Sequence, residues 1–156
     1  IFVFYDITTL IKDGPAFRYA VDKLVESCKG KKIDAVIGAE SRGFIFGSIV
    51  AYKLGVGFIP VRKPGKLPYE TRQISYQLEY GCSTLEMHVD AVKEGDNILI
   101  VDDLVATGGT AKATADMIEK AGGKIAGFCF LIELKFLKPR EALQGYDIFS
   151  LVSYDS

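Results

Sequence analysis

Ile98-Leu99-Ile100-Val101-Asp102-Asp103-Leu104-Val105-Ala106-Thr107-Gly108-Gly109-Thr110 is the stretch that decides the fold. Its opening apolar run reads as a strand covered on both faces, the kind found in parallel sheets. The strand is expected to end at Asp102-Asp103, delivering two carboxylates to the carboxyl edge of the sheet, where α/β domains bind ligands. Small and hydroxyl-bearing residues follow, so backbone N–H groups from Ala106 to Thr110 can approach an anion closely. The helix that opens there adds its positive dipole end. A phosphate fits the loop, and a polyol beside it fits the two aspartates as hydrogen-bond acceptors. A P-loop is excluded, because no Gly-Lys-Ser/Thr occurs in this loop.

Upstream, Asp13-Gly14-Pro15 reads as a helix start, and Phe17, Val21, Leu24, Val25 and Cys28 form an apolar stripe that stops near Gly30. A short strand over 34–38 runs into Ala39-Glu40-Ser41-Arg42-Gly43, then a helix over 44–54 and a strand over 56–61. Strand, loop, helix and strand in succession make a crossover unit with parallel strands. Residues 62–73 interrupt the pattern: Arg62, Lys63, Lys66 and Arg72 against Glu70 leave a net +3, and Pro64, Gly65 and Pro68 oppose regular structure. A short antiparallel pair is expected over 76–80 and 85–89. After the Thr107–Thr110 turn come a helix reaching Ala121, a strand over 125–134, a short helix near 139–143 and a last strand over 148–152. The fold class is α/β: one doubly wound, mainly parallel sheet flanked by helices, in a single domain over 1–156.

Composition agrees. The chain has 156 residues, 49% hydrophobic and 25% charged, which excludes disorder, collagen-like repeats and a disulfide scaffold. Nineteen basic and twenty acidic residues leave a net charge of −1, so no bulk field draws the chain to nucleic acid or membrane. The longest apolar stretch, Phe44 to Tyr52, is too short to span a bilayer. Cys28, Cys82 and Cys129 show no metal-ligand spacing and read as reduced thiols of a cytoplasmic protein, Cys129 the most buried. The chain begins at Ile1 without Met or a signal-peptide pattern, and residues upstream of it are expected.

The decisive stretch resembles the phosphoribosyl pyrophosphate signature of type I phosphoribosyltransferases. The resemblance implies that Ala106, Thr107, Gly108, Gly109 and Thr110 cradle a 5-phosphate and that Asp102 and Asp103 hold ribose hydroxyls. It also implies Mg²⁺ held mainly by the substrate's own oxygens, with no direct protein ligands. Three further segments resemble the adenine-using branch of the family. Val3-Phe4-Tyr5 looks like its base-binding hood (about 1–12), with adenine between Phe4 and Leu104 and its edge read by main-chain groups of Val3 and Tyr5. Ala39-Glu40-Ser41-Arg42-Gly43-Phe44 resembles the pyrophosphate loop, with a cis bond at Glu40-Ser41 and Arg42 facing the leaving group. Ser75-Tyr76-Gln77-Leu78-Glu79-Tyr80-Gly81 resembles the flexible catalytic segment of a lid (about 62–81), with Glu79 serving N7 of the base and Tyr80 nearby. Arg62, Lys63 and Lys66 would join the pyrophosphate site. Read without the resemblance, Ser41 is a helix cap, Arg42 a solvated side chain and Glu79 the outward residue of a strand.

Hypoxanthine-guanine relatives carry an Asp where this chain has Ala106, so the proton role falls to Glu79. The implied reaction is a purine-salvage transfer from phosphoribosyl pyrophosphate to N9 of adenine, giving AMP and pyrophosphate, in a homodimer. A regulatory ligand sensor is the rival class. It needs a helix-turn-helix or a basic stripe, and neither is evident in the sequence.

Overall fold

The computed structural model describes residues 7–78 and 81–156. Five strands form one parallel sheet in the order β2-β1-β5-β6-β7: β1 (Ala35–Ala39), β2 (Gly57–Val61), β5 (Asn97–Val105), β6 (Lys124–Leu134) and β7 (Ile148–Tyr154). A separate antiparallel hairpin joins β3 (Thr71–Leu78) to β4 (Gly81–His88). The helices are α1 (Thr8–Lys12), α2 (Gly14–Glu26), α3 (Arg42–Leu54), α4 (Gly109–Lys120) and α5 (Pro139–Ala142).

The strand period of two sorts the sheet's side chains into two cores. Val36, Leu99, Val101, Cys129 and Leu131 face α2 and α3, meeting Leu24, Phe46 and Val50. Ile37, Ile98, Ile100, Phe128 and Phe130 face α4, meeting Ala115, Met117 and Ile118. Both faces are therefore covered, which is why Ile98–Val101 is an unbroken buried run. The hairpin adds Leu85 and Met87 to the α4-side core, with Ile74 and Tyr76 packed against it.

The sheet opens where the ligand site is needed. β1 pairs with β5 only from Ala35–Ile98 to Ile37–Ile100. Beyond that, Gly38 and Ala39 continue alongside Pro60 and Val61, whereas Asp102, Leu104 and Val105 continue alongside Phe130, Ile132 and Glu133. The chain winds outward in opposite directions from these two central strands, and their carboxyl ends part into a crevice.

Several boundaries differ from the sequence expectation. β5 passes through Asp102-Asp103 to Val105, because the long apolar strand β6 offers a ladder partner as far as Glu133. β3 begins at Thr71, inside the stretch expected to be irregular, since a full register from Thr71–His88 to Leu78–Gly81 holds it. The α2 helix stops at Glu26 rather than near Gly30, and α1 has no counterpart in the sequence reading. The expected cap does hold: the Asp13 side chain accepts from Ala16 N–H at 3.5 Å, with Pro15 in the first turn.

Candidate active site

A cleft of about 290 Å³ lies in the crevice, lined by residues 39–42 at the end of β1, by 102–111 and by Phe130. Two loops singled out in the sequence thus form one site. Their approach depends on glycine. A Cβ on Gly38 would lie 2.6 Å from the Gly43 carbonyl oxygen, and one on Gly43 would lie 3.1 Å from Asp102 Oδ1. Only hydrogen at these positions lets the start of α3 fold back over the end of β1 and onto the acid pair. The Glu40–Ser41 peptide bond is cis, as the resemblance implied. Ser41 precedes α3 but makes no side-chain cap bond.

Arg42, the first residue of α3, is half exposed and places Nε 3.0 Å from Asp103 Oδ2, whose side chain is only 6% exposed. This is an ion contact without hydrogen-bond alignment, so the buried Oδ2 keeps an unmet acceptor position. Asp102 Oδ1 accepts from Asp103 N–H at 2.8 Å. Burial lifts the Asp102 carboxyl well above the ordinary range, and the Asp103 carboxyl pushes the same way through its side-chain hydrogen bond and its charge, against smaller opposing pulls from the Asp103 N–H and from Arg42.

The loop that follows is built for an anion. Gly108 sits at φ 89°, and a Cβ there would lie 3.0 Å from the Pro139 carbonyl oxygen, so the turn both requires glycine and packs on α5. It starts α4, whose first backbone N–H groups have no partner inside the helix and lie at the cleft wall. Leu104 is half-buried in the same wall.

The Glu40 side chain turns to the basic loop. Its Oε1 accepts from Lys63 N–H at 2.6 Å and Arg62 Nε at 3.3 Å, and its Oε2 accepts from Lys66 Nζ at 3.3 Å. Burial alone would raise this carboxyl, but the Lys63 amide, Lys66 and Arg62 outweigh it and hold it below the usual range. The side chain is therefore an organiser of the three basic-loop residues, and any direct contact of Glu40 with an anion falls to its backbone. Arg62 also lies over the Phe44 ring, 5.8 Å from its centroid.

Two residues given no role in the sequence reading complete the surroundings. Buried Glu86 in β4 accepts from Gly65 N–H at 2.7 Å, from Gln73 Nε2 at 3.1 Å and from the Thr71 hydroxyl, fastening the basic loop to the hairpin. Those bonds, Thr71's foremost, keep its carboxyl below the usual range. Tyr76 in β3 reaches the anion loop, its hydroxyl 3.0 Å from Thr110 Oγ1. Glu86 had no signal in the sequence, because its partners converge only through the β3–β4 register. Val3, Phe4, Tyr5, Glu79 and Tyr80 lie outside the described residues.

An open α/β crevice with a helix-start loop suited to an anion is the arrangement of a phosphate-handling α/β enzyme, and comparison with known proteins agrees. Residues 8–151 match the phosphoribosyl transferase domain family. The adenine phosphoribosyltransferase of Desulfitobacterium hafniense is 58% identical over 151 residues, 97% of this chain and 87% of that protein. The crystal structure of adenine phosphoribosyltransferase from Thermoanaerobacter pseudethanolicus superposes with a TM-score of 0.95 at 52% identity, covering 97% of this chain and 88% of that one. The Saccharomyces cerevisiae enzyme, solved with adenine and an imino-altritol bisphosphate, gives 0.89 at 39% identity, covering 96% and 88%. The chain belongs to the type I phosphoribosyltransferases and, within them, to the adenine phosphoribosyltransferase family.

Proposed function

We propose that the chain transfers the phosphoribosyl group of phosphoribosyl pyrophosphate to N9 of adenine, releasing pyrophosphate and forming AMP. The observation that carries this reading is the meeting, in one crevice, of the Ala106–Thr110 anion loop, the Asp102–Asp103 pair and Arg42. The family's solved yeast member, with adenine and a sugar-like bisphosphate bound, supports both the base and the ligand class.

The residues divide the work. Backbone N–H groups of the loop and the start of α4 bind the 5-phosphate, positioning the sugar. Asp103 Oδ2, with its unmet acceptor position, takes a ribose hydroxyl, and Asp102 supports it from the same strand. The pair also lies where positive charge develops on the sugar as the C1–O bond breaks. Arg42 faces the leaving pyrophosphate, with Arg62, Lys63 and Lys66 gathered by Glu40 as the further cations. Glu79, protonated under a closed lid, donates a hydrogen bond to N7 while N9 bonds to C1 and gives up its proton to the departing pyrophosphate, and Leu104 and Phe4 hold the base.

No cluster of three or more His, Cys, Asp or Glu able to cage a metal occurs among the described residues, and Asp102 and Asp103 are carboxylates of the cleft lining. That donor set fits Mg²⁺ carried largely by substrate oxygens beside Asp102 and Asp103. When bound, the ion neutralises charge on the pyrophosphate. A cytoplasmic homodimer is part of the proposal, and no described helix is long and apolar enough to cross a membrane.

The test is pyrophosphate release with Mg²⁺ and phosphoribosyl pyrophosphate, offering adenine, hypoxanthine, guanine and orotate separately. Release with adenine alone is the expected result. Release with another base overturns the base assignment, and tight binding without release from any base favours a ligand sensor.

A further inference from the structure

Tyr76 stands in β3 three residues before Glu79, on the hairpin face that packs toward α4. Its ring lies against the anion loop, with Cδ2 4.0 Å from where a Gly109 Cβ would be, an ordinary contact. Its hydroxyl is 3.0 Å from Thr110 Oγ1. Thr110 is the second residue of α4, where the backbone N–H is free of intrahelical bonding, and it lines the cleft.

A threonine hydroxyl has a single proton and two acceptor positions. If it donated to Tyr76, it could offer an anion only lone pairs. The phenolic proton is far more acidic than an aliphatic alcohol's, and the phenol is therefore the better donor of the two. With Tyr76 O–H donating to Thr110 Oγ1, the Thr110 proton is left for a phosphate oxygen, and a polarised hydroxyl donates more strongly. No other described side chain is recorded within hydrogen-bonding distance of Thr110 Oγ1, so Tyr76 is the group that sets its orientation.

We infer that Tyr76 is a positioning residue that turns the Thr110 hydroxyl into a phosphate donor. By the same bond it ties occupancy of the anion loop to the seating of β3, the strand that leads into Glu79. The inference rests on the reading of Ala106–Thr110 as the 5-phosphate cradle. Linkage makes the coupling reciprocal: a phosphate that favours the oriented Thr110 favours the docked hairpin by the same factor.

The experiment uses the full chain and its Tyr76→Phe variant, which keeps the ring on Gly109 and removes only the hydroxyl. Calorimetric titration with ribose 5-phosphate and, separately, with inorganic pyrophosphate reads the two halves of the site. The variant is expected to bind ribose 5-phosphate about five- to tenfold more weakly, the worth of one hydrogen bond, with pyrophosphate affinity unchanged. A general loosening of the fold would weaken both. In a Thr110→Val background, Tyr76→Phe is expected to have no further effect. Ribose 5-phosphate should also slow amide exchange in 71–78 in the parent chain and fail to do so in the variant.

Equal ribose 5-phosphate affinity in parent and variant would overturn the inference while leaving the cradle intact. So would equal loss for both ligands, an undiminished effect in the Thr110→Val background, or equal protection of 71–78. A parent chain that binds pyrophosphate but not ribose 5-phosphate would overturn the cradle itself, and the inference with it.

Discussion

Replacing Asp102 by Asn is expected to stabilise the folded chain while weakening its hold on ribose phosphates. The cause is visible in the site: burial and the neighbouring Asp103 carboxyl lift Asp102 well above its ordinary value of 3.8. As pH rises past that value the unfolded chain gives up the proton while the folded chain retains it. The folded state then binds more protons than the unfolded one, so stability falls with rising pH, by about 1.4 kcal/mol per pH unit, until the folded carboxyl itself ionises. For a domain of this size, that slope is about 3–5 °C in Tm per pH unit. The uncharged amide of the variant has no such slope. Its side-chain oxygen still accepts from Asp103 N–H across the present 2.8 Å, so no bond is lost. Scanning calorimetry of both proteins from pH 4 to 7.5 reads the difference, in which every other titrating group cancels. The two should melt together near pH 4, and the Asn variant should pull ahead as pH rises before the gap levels off. Parallel Tm curves, or a gap opening in favour of Asp, would refute the reasoning. Ribose 5-phosphate affinity should fall in the same variant, because sugar hydroxyls favour the ionised, accepting form of the Asp102 carboxyl, which an amide cannot adopt.

Gly108→Ala places a side chain at φ 89° and 3.0 Å from the Pro139 oxygen. A loss of about 2–3 kcal/mol is expected, read from the urea midpoint, together with weaker phosphate binding; an unchanged midpoint contradicts the strain argument. Glu133, 1% exposed at the end of β6, accepts from Arg140 at 2.9 and 3.0 Å and from Ser150 at 2.8 Å. Glu133→Gln should cost about 2 kcal/mol, an intermediate value because Arg140 is half exposed. The Arg140 bonds hold the Glu133 carboxyl below its usual 4.5, so this contribution is present above that pH and lost as pH falls below it. The Gln variant should lack that acid-side loss. Glu79→Gln should cut turnover by about 10²-fold and leave ribose 5-phosphate and pyrophosphate binding within twofold, as stopped-flow and titration would show; equal turnover removes Glu79 from the chemistry.

What the sequence disclosed follows from the range of the forces involved. The 98–101 run, the Asp13 cap and the Gly108-Gly109 turn are local decisions, and each appears where its residues demand it. The acid pair and the 39–43 loop were legible as separate motifs, and the doubly wound order then obliges them to meet at the point where β1 and β5 part. The extension of β5 to Val105 was hidden because it depends on the length of β6, a strand more than twenty residues downstream. The Glu86 hub and the Tyr76–Thr110 bond were hidden for the same reason, since the hairpin register and its docking on α4 are tertiary facts. So was the approach of Cys28 Sγ to 3.8 Å from Cys129 Sγ, two thiols a hundred residues apart that the α2–sheet packing brings together.

The electrostatics of the cleft depend on how residues 39–42 distribute charge between its two ends. Glu40 and Arg42 are one residue apart, yet each serves a partner of opposite sign: Glu40 takes Arg62, Lys63 N–H and Lys66, and Arg42 takes Asp103. If the assignments were exchanged, the three basic-loop groups would be drawn to the Asp102–Asp103 pair and would mask the acceptors meant for a sugar. By holding the Arg62 and Lys66 cations with its own carboxylate, Glu40 keeps them off Asp103, whose contact with Arg42 is not aligned as a hydrogen bond. The acid pair thus stays under-compensated and costly to the fold, as the raised Asp102 carboxyl records. In the proposed transfer, positive charge developing on the sugar would meet the incompletely paired Asp103 carboxylate, because a fully paired carboxylate would have little field left to offer the transition state.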